Sequence, residues 1–361
     1  MVGCQCIVTV TQTLGLVINV VNNAPEENQF TGDTPVRGRD RLLNLVEILL
    51  VLSGVCVVAS FFARFLFLFD LAAHFRVHCM AALIVGGIVL AVFRNRRGGL
   101  AAVGLGLILL ITLFPYLLPR TSESGLKTYR LMAMNVLTQN QRHEEVINYI
   151  RQQQPDMVVL LEVSHQWQST FEKGLGEDYR YRLFQPQADN FGIGLLSRQR
   201  WQSAEIRQMG EMFLPVVDAT FMLDGDTALR LFGMHPVPPT SHLNWVSRNE
   251  QFDEVARDVA SNALGDTTIV AGDLNCTPWS PFFNRFIRMA GLSDSSLGRG
   301  IRSTWYPLPF LVTSLPIDHV CVGRNIVVQS RTVGPHLGLD HHPVLVDFFV
   351  LDDPSEGKGD G

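Results

Sequence analysis

Three apolar stretches follow one another between residues 42 and 118: about Leu45–Ala63, Val77–Phe93 and Leu100–Leu118. Each comes near the roughly 20 residues that a helix needs to cross the hydrocarbon core of a bilayer. A soluble fold would need a very large core to cover three such stretches in succession, so residues 42–119 read as a membrane domain with three transmembrane helices. The second stretch is the shortest. The 47% hydrophobic content and the mean hydropathy of +0.17 concentrate in this region. Residues 120–361 have the composition of an ordinary globular domain.

Basic residues orient the spans. Arg37, Arg39 and Arg41 precede the first, and Arg94, Arg96 and Arg97 fill the tight turn between the second and third. The loop between the first two holds only Arg64 and Arg76. Positive charge favours the cytoplasmic side, which places the N-terminus there. With three crossings, everything after Leu118 is extracytoplasmic, at the face of the cell (inner) membrane. If the short second stretch does not cross, the same domain is cytoplasmic. Residues 1–41 are polar and turn-rich after a mildly apolar start, without a basic leader or cleavage site, and read as a disordered tail. Residues 351–361 read as a second tail.

The six cysteines show neither a CxxC pair nor zinc-type spacing, so no disulfide framework or zinc site is indicated. Residues 120–361 hold 21 Lys and Arg against 28 Asp and Glu, a net charge of −7. That balance disfavours a nucleic-acid partner, which is gripped largely through Lys and Arg contacts to phosphates.

Within this acidic part, apolar runs repeatedly end in a polar residue. "RLMAMN" ends at Asn135, "MVVLLE" at Glu162 and "RLFGMH" at His235. "TIVAGDLN" carries Asp273 and Asn275, "LPIDH" carries Asp318, and "GLDHHP" places Asp340 and His341 before "VLVDFFV". A carboxylate or imidazole at a buried strand end is costly unless solvated, paired or metal-bound. So many of them at strand ends point to one shared acidic site. Taken singly, each has a plainer reading. Gly-Asp-x-Asn is turn chemistry, and His342 beside His341 reads as structural or solvent-facing.

Periodicity predicts strands near 129–137, 156–163, 180–185, 191–197, 213–223, 228–235, 267–271, 317–322, 326–332 and 343–350. Helices are expected over Arg142–Gln154, His165–Leu175, Trp245–Leu264 and Pro281–Ala290. Helices placed between groups of strands imply an α/β fold, a four-layer sandwich of two packed mixed β-sheets flanked by helices, over residues 120–350.

In this order, Asn135, Glu162, His235, Asp273 with Asn275, Asp318, and Asp340 with His341 resemble the endonuclease/exonuclease/phosphatase superfamily across roughly residues 126–350. The resemblance implies a phosphoric ester hydrolase. Attack on a phosphate ester needs a divalent metal and a positioned water, and hard oxygen donors suit Mg²⁺, or Mn²⁺ by the same chemistry. The resemblance makes Glu162, Asn135 and Asp340 the metal ligands. Asp273 would orient or deprotonate the water, and Asn275 would bind a phosphate oxygen. His341, its ring held by Asp318, would contact the scissile phosphate. His235 would be a second phosphate contact or a proton donor.

Two positions depart from the family pattern. Leu161 stands where a Gln usually precedes the Glu, and "DNFGIGLLSR" lacks the Glu that nucleases pair with the mid-chain His. No basic, aromatic-interleaved insert is present to grip a DNA groove. Three spans joined to such a domain resemble a bacterial membrane-anchored subgroup that includes glycopeptide-resistance membrane phosphatases. "HPVPP" at 235–239 and the following helix, with Trp245 and Arg248, are similar to it too. The expectation is therefore hydrolysis of a lipid head-group phosphate, pyrophosphate or phosphodiester beside the bilayer. Arg248 and Trp305 are candidate head-group contacts, by charge and by aromatic surface. The alternatives are a membrane-tethered endonuclease or exonuclease and a non-catalytic binding module on the same fold.

Overall fold

The computed structural model describes residues 34–120, 127–224, 227–307 and 313–351. Its N-terminal part is helical: α1 (Thr34–Phe61), a short α2 (Phe67–His74), α3 (Arg76–Phe93) and α4 (Arg96–Leu117). Three of these, α1 from Gly38 onward, α3 and α4, are long and apolar enough to cross a membrane, the mark of a membrane-associated protein. Val92 and Ile111 on their outer faces are 67% and 71% exposed, as expected of side chains that lipid covers. On the inner side α3 and α4 touch closely. A Cβ at Gly99 would run into the backbone of Gly87 and Ala91, and small residues allow such approach where no hydrophobic effect drives helices together.

Two details differ from the sequence reading. The first helix begins at Thr34, inside the stretch expected as tail, and residues 1–33 and 352–361 lie outside the described residues. The segment between the first two spans, expected as a loop, folds as α2.

The rest of the chain runs β1 (Tyr129–Asn135), α5 (His143–Gln153), β2 (Met157–Leu161), α6 (His165–Leu175), β3 (Tyr181–Gln185), β4 (Ile193–Ser197), β5 (Trp201–Met209), β6 (Leu214–Leu223) and β7 (Thr227–Met234). It continues with α7 (His242–Ser261), β8 (Thr268–Asp273), α8 (Pro281–Ala290), β9 (Ser293–Asp294), β10 (Asp318–Val322), β11 (Ile326–Val333) and β12 (Val344–Val350). The strands form two six-stranded mixed sheets, in the orders β11-β12-β1-β2-β4-β3 and β5-β6-β7-β8-β10-β9. In each, one pair is parallel, β1 with β2 and β7 with β8, and the flanking pairs are antiparallel.

The sheets pack face to face. Leu131, Val159, Leu195, Val217, Leu231, Ile269 and Val346 meet between them. The alternate residues Met132, Met134, Val158 and Leu160 face outward and are covered by α5 and α6, which contribute Val146, Ile150, Trp167 and Phe171. On the second sheet Phe232 and Val270 meet Phe252 and Val255 of α7 and Phe283 and Phe286 of α8. Central strands are therefore buried on both faces, which is why they read as unbroken apolar runs. The four layers match the expected sandwich. Strand β5 was not anticipated, because it lies at a sheet edge and its largely polar residues are mostly solvent-facing.

Candidate active site

Strand register decides which polar residues meet. Asn135 closes β1 beside Leu161 of the parallel β2, so Glu162 emerges at the same edge. In the second sheet Gly233 pairs with Ala271, which brings His235 level with Asp273. Antiparallel pairing sets Asp318 opposite Asp273. Asn135, Glu162, His235 and Asp273 stand at the C-terminal ends of the parallel strands, where open α/β sheets form their ligand crevices, and Asp318 opens the antiparallel β10 at the same edge.

The turn at this edge is tight. Gly272 has φ +149°, and a Cβ there would run into the carbonyl oxygen of Met234, which explains the glycine of "AGDLN". Glu162 and Asn275 hold left-handed backbone, with φ of 60° and 48°. Such conformations in non-glycine residues persist only where the surroundings enforce them, and they concentrate at functional sites.

Asp273 is the hub. Its Oδ2 lies 3.2 Å from His235 Nε2 and 3.5 Å from His341 Nε2, and Asn135 Nδ2 approaches it at 3.4 Å. Its Oδ1 accepts from the Asn275 backbone N–H at 2.9 Å. Burial alone would raise its pKa, but the charge of His341, the hydrogen bond from His235 and the Asn275 amide outweigh burial and hold it at about 2. His341 donates from Nδ1 to Asp318 Oδ2 at 2.9 Å. Burial opposes its protonation, yet the Asp318 and Asp273 carboxylates raise its pKa well above the ordinary histidine value, so the ring is a buried cation. His235 is also raised, its burial outweighed by Asp273.

His235 shows what the missing glutamate leaves behind. Its Nδ1 is buried without a hydrogen-bond partner among the described residues, and the Phe191 ring stands 5.6 Å from the imidazole. This histidine is thus held from one side only, through Asp273.

One group of acidic and histidine side chains among the described residues could hold a metal, and two further carboxylates offer oxygen donors. Asp273, Asp318 and His341 offer donor atoms within 4.8 Å of one another. The same atoms already face one another, with Asp273 Oδ2 between the two imidazoles and Asp318 Oδ2 on His341 Nδ1, so the cluster is held together by its own contacts. Glu162 and Asp340 each carry the hard oxygen donors that suit a cation such as Mg²⁺. Glu162 accepts from Asn135 Nδ2 at 2.9 Å and from the Thr138 backbone N–H at 3.2 Å, which fixes the carboxylate. Asp340 receives Trp305 Nε1 on Oδ2 at 3.3 Å, while its Oδ1 is buried with no partner among the described residues. An orphaned buried carboxylate oxygen is costly and is satisfied by a bound cation.

Of the residues expected from sequence, Asn135, Glu162, His235, Asp273, Asn275, Asp318 and His341 are joined by these contacts. Asp340 and Trp305 lie beside them, since Trp305 pairs through its backbone with His341. Asn275 turns its side-chain amide to the Pro236 carbonyl at 3.0 Å. Arg248 is a correction. It is completely buried, its Nη2 donates to Asp70 Oδ2 at 2.5 Å and its Nη1 to the Asn275 carbonyl at 3.3 Å, so it does not face a head group. The neighbouring His342 donates from Nδ1 to the Gly334 carbonyl at 2.9 Å, a structural contact.

Sequence reasoning missed Thr138, which props Glu162, and Thr304, whose hydroxyl accepts from the Asp318 amide at 3.0 Å. It also missed Asp70, although a signal existed. Asp70 and His74 stand four residues apart in "FLFDLAAHF", where an apolar run should carry neither.

Comparison with known proteins agrees with the geometry. The model of the Endonuclease/Exonuclease/phosphatase family matches residues 132–341. No curated protein matches the chain. Among solved structures it is similar to an endonuclease/exonuclease/phosphatase from Bacteroides vulgatus, at 17% identity and TM-score 0.53, covering 62% of this chain and 100% of that one. The human Nocturnin catalytic domain with bound sulfate anion is similar at 18% identity and TM-score 0.51, covering 63% and 96%. A 3′ phosphatase from Neisseria bound to product DNA hairpin is similar at 17% identity and TM-score 0.51, covering 61% and 99%. At such identities the likeness is one of fold. The family match, by contrast, spans more than half of the sequence and every strand end described above from Asn135 to His341, and on that ground this chain belongs to the Endonuclease/Exonuclease/phosphatase family.

Proposed function

We propose that the protein is a membrane-anchored, Mg²⁺-dependent phosphoesterase that hydrolyses a phosphate ester or pyrophosphate of a lipid head group. Family members are phosphoesterases or nucleases that depend on divalent metal, which makes hydrolysis the expected activity. The observation that carries the lipid reading is the position of the site. The loop after β8, with Asn275, rests on α2, the short helix between the first two spans. A reaction centre beside the bilayer meets a lipid head group at high effective concentration. The net negative charge of the domain favours this reading over a polyanionic nucleic acid.

Glu162, Asn135 and Asp340 would hold the metal, whose chemistry is to offset phosphate charge and sharpen a bound water. Asp273, with a pKa near 2, is a weak base, so its task is to orient the water more than to strip its proton. The cationic His341, steadied by Asp318, stabilises charge that develops on the phosphate oxygens. His235 and Asn275 complete the anion contacts.

The orientation follows the same logic. Arg94 pairs with Glu47 at 3.4 Å, and Arg39 reaches the Phe93 carbonyl, so the arginine-rich segments gather at one end of the helices. The catalytic domain docks at the other, where Gly298 N–H donates to the Pro115 carbonyl at 3.0 Å and Gly300 N–H to the Tyr116 carbonyl at 2.8 Å. With positive charge on the cytoplasmic side, this arrangement supports an extracytoplasmic domain.

The test is phosphate release from undecaprenyl pyrophosphate by detergent-solubilised protein, with Mg²⁺ or EDTA, beside Asp273→Ala and a plasmid-nicking control. Mg²⁺-dependent release that the variant loses is the expected result. Nicking without release would transfer the chemistry to nucleic acid, and silence in both would remove the enzyme reading.

A further inference from the structure

The membrane segment does more than touch the catalytic domain. Asp70 and Arg248 are both completely buried, and their ion pair joins α2 to α7. Arg248 also donates through Nη1 to the backbone carbonyl of Asn275, while Asn249 Oδ1 accepts from its Nε and Nη2 at 3.1 and 2.8 Å. Three further bonds fasten the same loop to the same helix. Ser280 Oγ donates to Asp70 Oδ1 at 2.7 Å, Thr277 Oγ1 meets His74 Nδ1 at 2.9 Å, and Trp279 Nε1 donates to the His74 carbonyl at 3.2 Å.

Simple attachment would not need this. A buried carboxylate and guanidinium cost desolvation, and well-packed apolar residues anchor as firmly or better. A polar pair instead imposes direction, and here the direction ends on Asn275. That residue sits in left-handed backbone next to Asp273, a conformation that must be enforced from outside. Among the described residues its own side chain bonds to Pro236, so the backbone carbonyl held by Arg248 is the handle on its other side.

We infer that α2 belongs to the active site: Asp70, acting through Arg248, positions Asn275 for the phosphate, and this docked connecting helix thereby sets the turnover rate. Asp70 and Arg248 are positioning residues and touch no substrate. The inference rests on the reading of Asn275 as a phosphate contact.

The experiment uses the full chain in detergent with Mg²⁺ and farnesyl pyrophosphate, a short polyprenyl pyrophosphate that needs no bilayer. Wild type, Asp70→Asn, Asn275→Ala and the double variant are compared in kcat, KM and thermal midpoint. Asp70→Asn is expected to lower kcat about 10-fold with KM little changed, a loss of the size that small misplacements of reacting groups cause. In the Asn275→Ala background the same change should cost less than about twofold, because residues acting through one another are not additive. Should Asp70→Asn fail to fold, Arg248→Lys keeps a charge opposite Asp70, withdraws the fork from the Asn275 carbonyl, and should show the same kcat loss. An equal factor in both backgrounds, no loss at all, or a loss that follows the thermal midpoint overturns the inference alone. A wild type no more active than Asp273→Ala overturns the phosphoesterase reading, and the inference with it.

Discussion

Asp273 and Asp318 are Cα partners in the antiparallel register of β8 and β10, and both carboxylates face one imidazole, that of His341. Two acids one strand apart would repel each other. The imidazole between them eases the conflict, and the two carboxylates in turn raise its pKa well above the ordinary histidine value.

Asp318→Asn keeps the shape of this contact and withdraws its charge. The expected result is a kcat lower on the order of 10²-fold, the usual cost of losing one preorganised charge stabiliser, with a thermal midpoint close to wild type. Steady-state kinetics beside thermal unfolding checks it, and an unchanged kcat would mean that His341 needs no anchor.

Metal dependence should map to Glu162 and its prop. EDTA is expected to abolish phosphate release and added Mg²⁺ to restore it. Glu162→Ala should remove the restored activity, whereas Thr138→Val, which deletes only the hydroxyl near Glu162 Oε2, should weaken metal binding about 10-fold. Calorimetric titration with Mn²⁺ reads both. Tight binding by Glu162→Ala would place the ion elsewhere.

Gly272→Ala adds one methyl where backbone leaves no room, at a φ that L-residues avoid. It should destabilise the domain by at least about 2 kcal/mol and also displace Asp273. Denaturant unfolding measures the first effect and phosphate release the second. A variant as stable as wild type would show that β7 and β8 separate freely at this point.

Asp218 lies in a four-membered network on the outer face of the second sheet, with Arg230 at 2.6 Å, Arg207 at 2.9 Å, and Asp258 pairing both arginines. Burial would raise its pKa, but the two guanidinium groups outweigh burial and lower it below the ordinary 3.8. Its contribution is therefore complete at neutral pH and disappears as pH falls below about 4, through the depressed folded value. Asp218→Asn should cost about 2 kcal/mol at pH 7, less than a fully buried pair because the site is partly screened, and almost nothing near pH 2. Chemical denaturation at the two pH values compares them, and a gap that stays constant counts against the network.

Much of the site was legible because both sheets bury both faces of their central strands. An apolar run of strand length that ends in Asn135, Glu162, His235 or Asp273 marks where a buried strand reaches the crevice, and that mark is local. The three spans were legible for a similar reason, since length and apolar composition suffice. Strand β5 escaped because an edge strand has little apolar face to show, and α2 escaped because eight residues between two spans leave no clear period.

What the sequence determined by itself was the set of polar residues whose burial demands a shared site, and the membrane segment that precedes them. Tertiary structure alone decided their partners. Arg248, a plausible head-group contact by charge, is completely buried because Asp70, 178 residues earlier, is brought against it. Phe191, 44 residues before His235, is brought to 5.6 Å from its ring. Asp273 becomes the hub because two strand registers converge there. Burial preference is written residue by residue along a chain, whereas the identity of an ion-pair partner depends on which distant segments the fold places within about 3 Å.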